Sequence, residues 1–287
     1  MTKHRRIILA AEADLHGGSK GALLNPETKL CTYDKAGRPL EPQPVELNES
    51  QSYLWELRQE NIKKTLDLAA GDDVMVIVNG DITQGNKHPG LLVSNRIADQ
   101  IIIAAANLRP WLEHKNVVNL RIAVGTAAHN FLSGTAEVLV WEQFREKYQK
   151  KDIKVVYHGE AKYNGLPVDY AHHGPGPGIR NWLKGNIARL YLQSLMLDCV
   201  VRHMEPPALV LRAHYHVPTR AFNELDGSCS WLYILPSYSM LDDHATQAAH
   251  SPGFITHGMV AFEIVDGELV SQHKFYKEID VRTKEEL

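Results

Sequence analysis

The sequence has no C-x-x-C pair, and its three cysteines, Cys31, Cys199 and Cys229, are odd in number and far apart. That excludes a disulfide framework and a thiolate zinc site as the basis of the fold. No apolar run is long enough to cross a bilayer, so no membrane partner is expected. The opening "MTKHRRIILAAEADLHGG" starts basic, but its apolar run is short and breaks at Glu12 and Asp14. It reads as a first strand and not as a signal peptide. An excess of positive charge is also lacking: 31 Lys and Arg stand against 34 Asp and Glu, for a formal net charge of -3. This argues against a broad face for duplex nucleic acid. There is no internal repeat, no low-complexity tract and no clear linker in the 287 residues, so one domain over 1–287 is expected. The composition reads as that of a soluble protein of a reducing, cytoplasmic compartment. What the chain does have in unusual number is histidine, with 15.

Several short runs rich in Val, Ile and Leu predict strands: 6–13, 73–79, 117–124, 153–158, 167–173 and 208–216. Near-continuous apolar runs suit strands covered on both faces. Helix-period segments lie between them, at 48–71, 91–114, 135–150 and 185–204. Asn48 or Ser50 is suited to cap the first, and Gly71 follows its end. This alternation predicts an α/β chain. Near the C-terminus, two strand-like runs flank Asp266-Gly267, a hairpin signal that adds antiparallel strands. The Gly- and Pro-rich stretch 17–46 predicts an inserted loop, read either as a lid or as a surface excursion.

The strand ends carry the chemistry. Asp14-Leu15-His16 follows the first strand and Gly80-Asp81 the second. Gly125-Thr126 and then His129-Asn130 follow the third, His172-His173 end a later one, and His214-Tyr215-His216 end the next. In an open α/β sheet, ligands sit outside the carboxyl ends of the strands, so these residues would converge on one edge. Carboxylates and imidazoles without thiolates are ligands for divalent metal ions. Taken singly, "DLH" is an ordinary polar loop, and "HYH" is one face of an edge strand. The metal reading rests on their joint order.

That order resembles the calcineurin-like metallophosphoesterase family, whose pattern is D-x-H, G-D, G-N-H-[DE], a lone H, and G-H-x-H. Here it appears as "DLH", "GD", "GTAAH", "HHG" and "AHYH", across about residues 6–218. The flavour is most similar to a divergent phage and bacterial branch, which would place a phage-encoded chain in the host cytoplasm. The resemblance implies a four-layer α/β/β/α sandwich of two mixed β-sheets. It implies two divalent metal ions, with manganese favoured and iron, nickel, zinc or magnesium as alternatives. Asp14, His16, Asp81 and His216 would hold the first ion. Asp81 would bridge to the second, which also takes His214 and the lone histidine, His172 or else His173. His129 would protonate the leaving group or stabilise charge on the phosphoryl oxygen. The family's Asn ligand is missing, because Thr126 follows Gly125, and Asn86, His88 or Asn130 could supply that contact. From its own fork of donors, Arg180 either clamps a substrate phosphate or is a solvated charge at a helix start, with His173 and His88 as further substrate contacts.

The implied activity is hydrolysis of phosphoesters, with phosphodiesters preferred and cyclic nucleotides or other small nucleotide diesters as the substrate class. Two ions about 3.5–4 Å apart offset the charge of such a substrate and acidify a water. Two alternatives stand beside this reading. One is a DNA or RNA nuclease of the same fold, which would make nucleic acid the partner. The other is a metal-binding or partner-binding protein without catalysis.

Overall fold

A computed structural model of the chain describes residues 5–178, 183–241 and 252–285. The chain opens with β1 (Arg6–Glu12), the short pair β2 (Lys29–Leu30) and β3 (Gln43–Pro44), and helix α1 (Glu49–Ala69). Next come β4 (Asp73–Val78), α2 (Ile97–Glu113), β5 (Val117–Ala123), α3 (Thr135–Lys147) and β6 (Asp152–Val156). The second half holds β7 (His158–Tyr163), β8 (Leu166–Ala171), α4 (Asn186–Val201) and β9 (Leu209–Arg212). It closes with β10 (Thr219–Leu225), β11 (Ser228–Ile234), β12 (Phe254–Val265) and β13 (Glu268–Asp280).

Two mixed sheets result, ordered β13-β12-β1-β4-β5-β6 and β10-β11-β9-β8-β7. In the first, β1, β4, β5 and β6 run parallel, and the hairpin β12–β13 adds antiparallel to β1, as the Asp266-Gly267 turn predicts. Period two explains why the β1 run is almost wholly apolar. Ile8 and Ala10 face α1, α2 and α3, packing with Leu54, Leu108, Trp111 and Phe144. Ile7, Leu9 and Ala11 face the other sheet, packing with Val168, Tyr170, Leu209, Leu211 and Tyr233. On the far side of the second sheet, Ala188, Leu192 and Met196 of α4 cover Val210, Leu232 and Ile234. The layers are therefore helix, sheet, sheet, helix. Among the described residues, no helix is long and apolar enough to cross a membrane.

Several boundaries differ from the sequence expectations, each for a local reason. Helix α2 starts at Ile97 and not at Leu91; Pro89–Leu91 form a 3₁₀ turn, and Arg96 Nε and Ser94 Oγ both donate to Asp99 Oδ2. Helix α1 is capped by Asn48, whose side chain accepts from Gln51 N while Gln51 answers the Asn48 N–H. Strands β7, β10 and β11 were not expected: charged residues interrupt β7 and β10, and β11 opens on the polar run Ser228-Cys229-Ser230. The Asp226-Gly227 turn that joins β10 to β11 has the left-handed backbone of the Asp266-Gly267 hairpin. Within 17–46, Leu24 and Leu30 bury against Ile103, and Asn25 donates to Ala106 O, while most of 33–44 is exposed.

One ion pair lies wholly inside the first helical layer. Arg58 of α1 meets Glu12 at the end of β1 with two bonds, Nε to Oε2 at 2.9 Å and Nη2 to Oε1 at 2.7 Å. Trp111 Nε1 donates to Glu12 Oε1 at 3.0 Å, and Arg58 Nη1 donates to Asn107 O at 2.8 Å. Every polar group of the pair thus has a partner out of water, which such a pair requires to be tolerated. Glu12→Gln strands the guanidinium and is expected to lower unfolding free energy by about 3–5 kcal/mol in a denaturant titration. The double variant Glu12→Gln, Arg58→Met should recover part of that loss. Equal stability of the parent and the single variant would show that the pair does not matter to the fold.

Candidate metal centre

At the carboxyl ends of β1 and β4 the backbone turns sharply, and Asp14, His16 and Asp81 all adopt positive φ, at 52°, 44° and 50°. His214 and His216, after β9, do the same at 77° and 57°. Five non-glycine residues in this uncommon region mark a conformation that the surroundings impose. Those surroundings are explicit. Asp14 N donates to Gly80 O, His16 N to Asp81 O and Gly17 N to Ile82 O, so the two loops stay paired beyond their strands. His214 N donates to Asp14 Oδ2 at 3.2 Å, which ties the second sheet to the first. Two glycines are needed for close approach: a Cβ on Gly125 would lie 2.1 Å from Asp81 Oδ1, and one on Gly80 2.3 Å from His172 Nδ1.

The polar side chains meet in this crevice. His16 Nε2 lies 3.1 Å from His216 Nε2, and Asp14 Oδ1 lies 3.4 Å from His216 Nε2 and 3.9 Å from His16 Nε2. On the other side, His172 Nε2 is 3.0 Å from Asp81 Oδ2 and 4.0 Å from Asp14 Oδ1. Ligand atoms lie within 4.8 Å of one another in four overlapping sets: Asp14, His16, His216; Asp14, Asp81, His172; His16, Asp81, His129; and His172, His173, His214. Asp14 and Asp81 are buried, yet Asp14 Oδ1 has no hydrogen-bond partner, nor has buried His16 Nδ1. An anionic oxygen left without a donor out of water is costly. A cation shared with the facing imidazoles would satisfy it, so the donor set fits a divalent metal.

Electrostatics follow the same arrangement. Burial opposes ionisation of Asp81, but the adjacent His172, with His16 and His129, holds its carboxyl well below the usual range. Burial likewise opposes ionisation of Asp14, and His216 and His172 hold it low. Burial would lower His172, but Asp81 and Asp14 push it up to about 9. His16 moves the other way, to about 3, through burial and the neighbouring His129 and His216. Burial and His172 also lower His173 and His214. Neutral imidazole is the form that binds metal.

Backbone carbonyls orient two of the rings. His172 Nδ1 lies 2.7 Å from Asn79 O, which makes Nδ1 the donor and leaves Nε2 to face Asp81. His129 Nδ1 lies 2.7 Å from Gln84 O, and its ring meets His16 edge-on at 4.7 Å. Thr126 follows Gly125 and sits among these groups. Its Oγ1 lies 3.2 Å from Asp81 Oδ2, 3.2 Å from His172 Nε2 and 3.1 Å from His214 Nδ1, and its N–H donates to Asp81 Oδ1 at 2.6 Å.

No protein-family model matches the chain, and no curated protein does. Among solved structures it is similar to an archaeal phosphodiesterase, at 12% identity over 96% of this chain and 99% of that one, with a TM-score of 0.37. A predicted phosphoesterase from Streptococcus pneumoniae is similar at 12% identity over 95% and 98% of the two chains, with a TM-score of 0.34. A Thermus thermophilus sulfate thiohydrolase, in complex with glycerol, is 11% identical over 98% of this chain and 58% of its own, with a TM-score of 0.39. The fold itself is a four-layer arrangement of helices, two mixed sheets and a helix.

This frame brings together Asp14, His16, Asp81, His129, His172, His173, His214 and His216. It turns Asn86 elsewhere: its Oδ1 accepts from Gln100 Nε2 and its Nδ2 donates to Asn95 O. His88 precedes the 3₁₀ turn and is half-buried. Asn130 Nδ2 donates to Gly125 O, bracing the loop from beneath. Arg180 lies outside the described residues.

Sequence reasoning missed Glu137, in the first turn of α3. It is buried, and its Oε1 accepts from Gly125 N at 3.0 Å, fixing the start of the loop that carries Thr126 and His129. An acid in a helix's first turn near an expected strand-end loop was the available signal. Burial pushes its carboxyl up to about 7, against the Gly125 N–H, from an ordinary 4.5. The folded chain thus holds this proton more tightly than the unfolded one. Stability from the group is full below pH 4.5 and is lost as pH rises through about 7. Glu137→Gln, which keeps an acceptor for Gly125, is expected to raise the melting temperature at pH 8 by several degrees. One kcal/mol moves the midpoint of a chain of this size by roughly 2–4 °C. The gain should close towards pH 5, and an equal gain at both pH values would show that this carboxyl does not titrate between them.

Proposed function

We propose that the chain is a metal-dependent phosphoester hydrolase of the calcineurin-like metallophosphoesterase type, preferring phosphodiesters, with small nucleotide diesters as the substrate class. The observation that carries this reading is the unpartnered Asp14 Oδ1, buried and facing the Nε2 atoms of His16, His216 and His172. Asp14, His16 and His216 would hold one divalent ion, and His172 and His214 a second, with Asp81 between them. Manganese is the favoured metal, with iron, nickel, zinc or magnesium as alternatives. Two such ions, when bound, supply the positive charge that offsets a phosphoryl group and the acidity that makes water a nucleophile at neutral pH.

The chain's own groups do the rest. Asp81 offers two oxygens in different directions, Oδ1 towards the Thr126 N–H and Oδ2 towards His172 Nε2, as a bridging carboxylate must. The Asn79 carbonyl fixes the His172 tautomer, so the ring does not have to reorient to present its lone pair. His129 stands half-buried beside His16, with Nδ1 committed to Gln84 O. Its free Nε2 can carry a proton to the leaving oxygen. The net charge of -3 favours a small diester over duplex nucleic acid, as there is no basic excess to track a backbone.

Stripped protein is expected to be inert towards bis-p-nitrophenyl phosphate and to gain turnover on addition of manganese. Metal analysis should find two equivalents per chain. A metal-independent rate would sink the proposal, and a preference for long oligonucleotides over small diesters would select a nuclease instead. Asp81→Ala should abolish both metal uptake and turnover; a variant that retained two ions and near-parent rates would remove Asp81 from the bridge.

His129→Ala should keep both ions and slow turnover by about 10²–10⁴-fold, the range for a positioned acid or base. The loss should be smaller for nitrophenyl esters, whose leaving group needs little protonation. Equal losses for good and poor leaving groups would replace the acid role with charge stabilisation.

A further inference from the structure

We propose that His173 completes the second metal position, supplying a third imidazole where the metallophosphoesterase pattern has an asparagine. The inference rests on the two-metal reading above and concerns only how this chain fills the second position.

Three observations carry it. The first is convergence. The ligand nitrogens of His172, His173 and His214 lie within 4.8 Å of one another, and the His173 ring stands 4.9 Å from that of His172 and 4.8 Å from that of His214. Consecutive residues in an extended strand point to opposite faces. At the end of β8, where the strand has already stopped, both rings turn to the same place. The second is the state of the asparagine's position. Thr126 puts its hydroxyl among Asp81 Oδ2, His172 Nε2 and His214 Nδ1. A neutral hydroxyl is a weak donor to a cation and leaves that position short of a ligand. The third concerns the competitors. Asn86 has its Oδ1 engaged by Gln100 and its Nδ2 by Asn95, and Asn130 lies beneath the loop with its Nδ2 on Gly125 O. His173 is exposed, and no hydrogen bond among the described residues ties it elsewhere, so it is free to close on an ion.

The consequence is an unequal pair. The first position has two carboxylates, Asp14 and Asp81, and two imidazoles, His16 and His216. The second has three imidazoles and a single carboxylate, Asp81. More nitrogen and less oxygen moves preference away from manganese and magnesium, towards cobalt, nickel and zinc. The second position should therefore take the later metal when both kinds are offered.

The test is a cobalt(II) titration of stripped full-length protein, read by visible absorption and by stoichiometry. Parent protein should bind two equivalents. His173→Ala should keep one and weaken the other by at least about tenfold, the lower end of what losing even an outer-shell partner costs. His173→Asn, which restores an amide oxygen, should recover part of the loss, and Thr126→Val should change little. With manganese and zinc supplied together, parent protein should carry both metals, and His173→Ala should lose zinc selectively. The melting temperature of stripped His173→Ala should match that of the stripped parent, which separates ligand loss from a folding defect. Two equivalents bound by His173→Ala as tightly as by the parent, or loss of the second equivalent in Thr126→Val instead, would overturn the assignment of His173 and leave the two-metal reading standing. Fewer than two equivalents in the parent would overturn both.

Discussion

Two carboxylates out of water, a few ångströms from one another's imidazole partners, are the constraint on which the rest of this structure depends. Asp14 and Asp81 could escape their burial by taking protons, yet both are held ionised, by His216 and by His172 respectively. Neighbouring backbone is recruited to the same end. Thr126 N–H points at Asp81 and His214 N–H at Asp14, and bare Gly125 and Gly80 let Asp81 and His172 come close. The positive φ angles at both aspartates are the local cost of aiming side chains into the crevice and not along the strand. Negative charge is concentrated in this crevice with too few donors to meet it, and a cation would offset it.

Much of the frame was legible in the sequence because the central strands are apolar on both faces. "RIILAAE" feeds two cores at once, and so reads as an almost unbroken run. Strands β7 and β10 were not legible. In "HGEAKY" and "TRAFNEL" polar and charged residues alternate with the few that are buried, as on a sheet with a wet face or edge. The turn Asp226-Gly227 was the missed cue, being the same kind as the Asp266-Gly267 turn that was read correctly.

At the site, the order of strand-end aspartates and histidines could be read because each follows an apolar run. The roles of Thr126 and Glu137 could not. Thr126 looks like a defect in a motif, and only the folded loop shows its hydroxyl lying between Asp81, His172 and His214. Glu137 looks like an ordinary first-turn acid, and only packing shows it buried beneath the Gly125 amide. The pair Glu12 and Arg58 hides for a like reason: 46 residues apart, neither signals the other. Asn86, attractive in sequence for its place after Asp81, is claimed by Gln100, a residue on a helix that no local pattern connects to it.

The crevice is also a seam between layers. Asp14, His16 and Asp81 follow strands of one sheet, while His172, His214 and His216 follow strands of the other. Asn79 Nδ2 donates to Ala171 O at 2.9 Å and Tyr238 N to Asp14 O at 3.2 Å, so the two halves are stitched at this border. Elsewhere the sheets meet largely through apolar contacts such as Ile7, Leu9 and Val168, which are non-directional, with a Tyr233–Gln272 hydrogen bond as a further polar link. The alignment of the half-sites is therefore a vernier. A slip of the apolar faces by a fraction of a side chain would be small for the fold, yet it would appear undiminished as misregistry between the two halves of the ligand set. Conservative repacking at Val168 or Leu209, buried in that seam and away from the site's own residues, is then a natural dial for tuning or silencing the centre without touching one of its ligands.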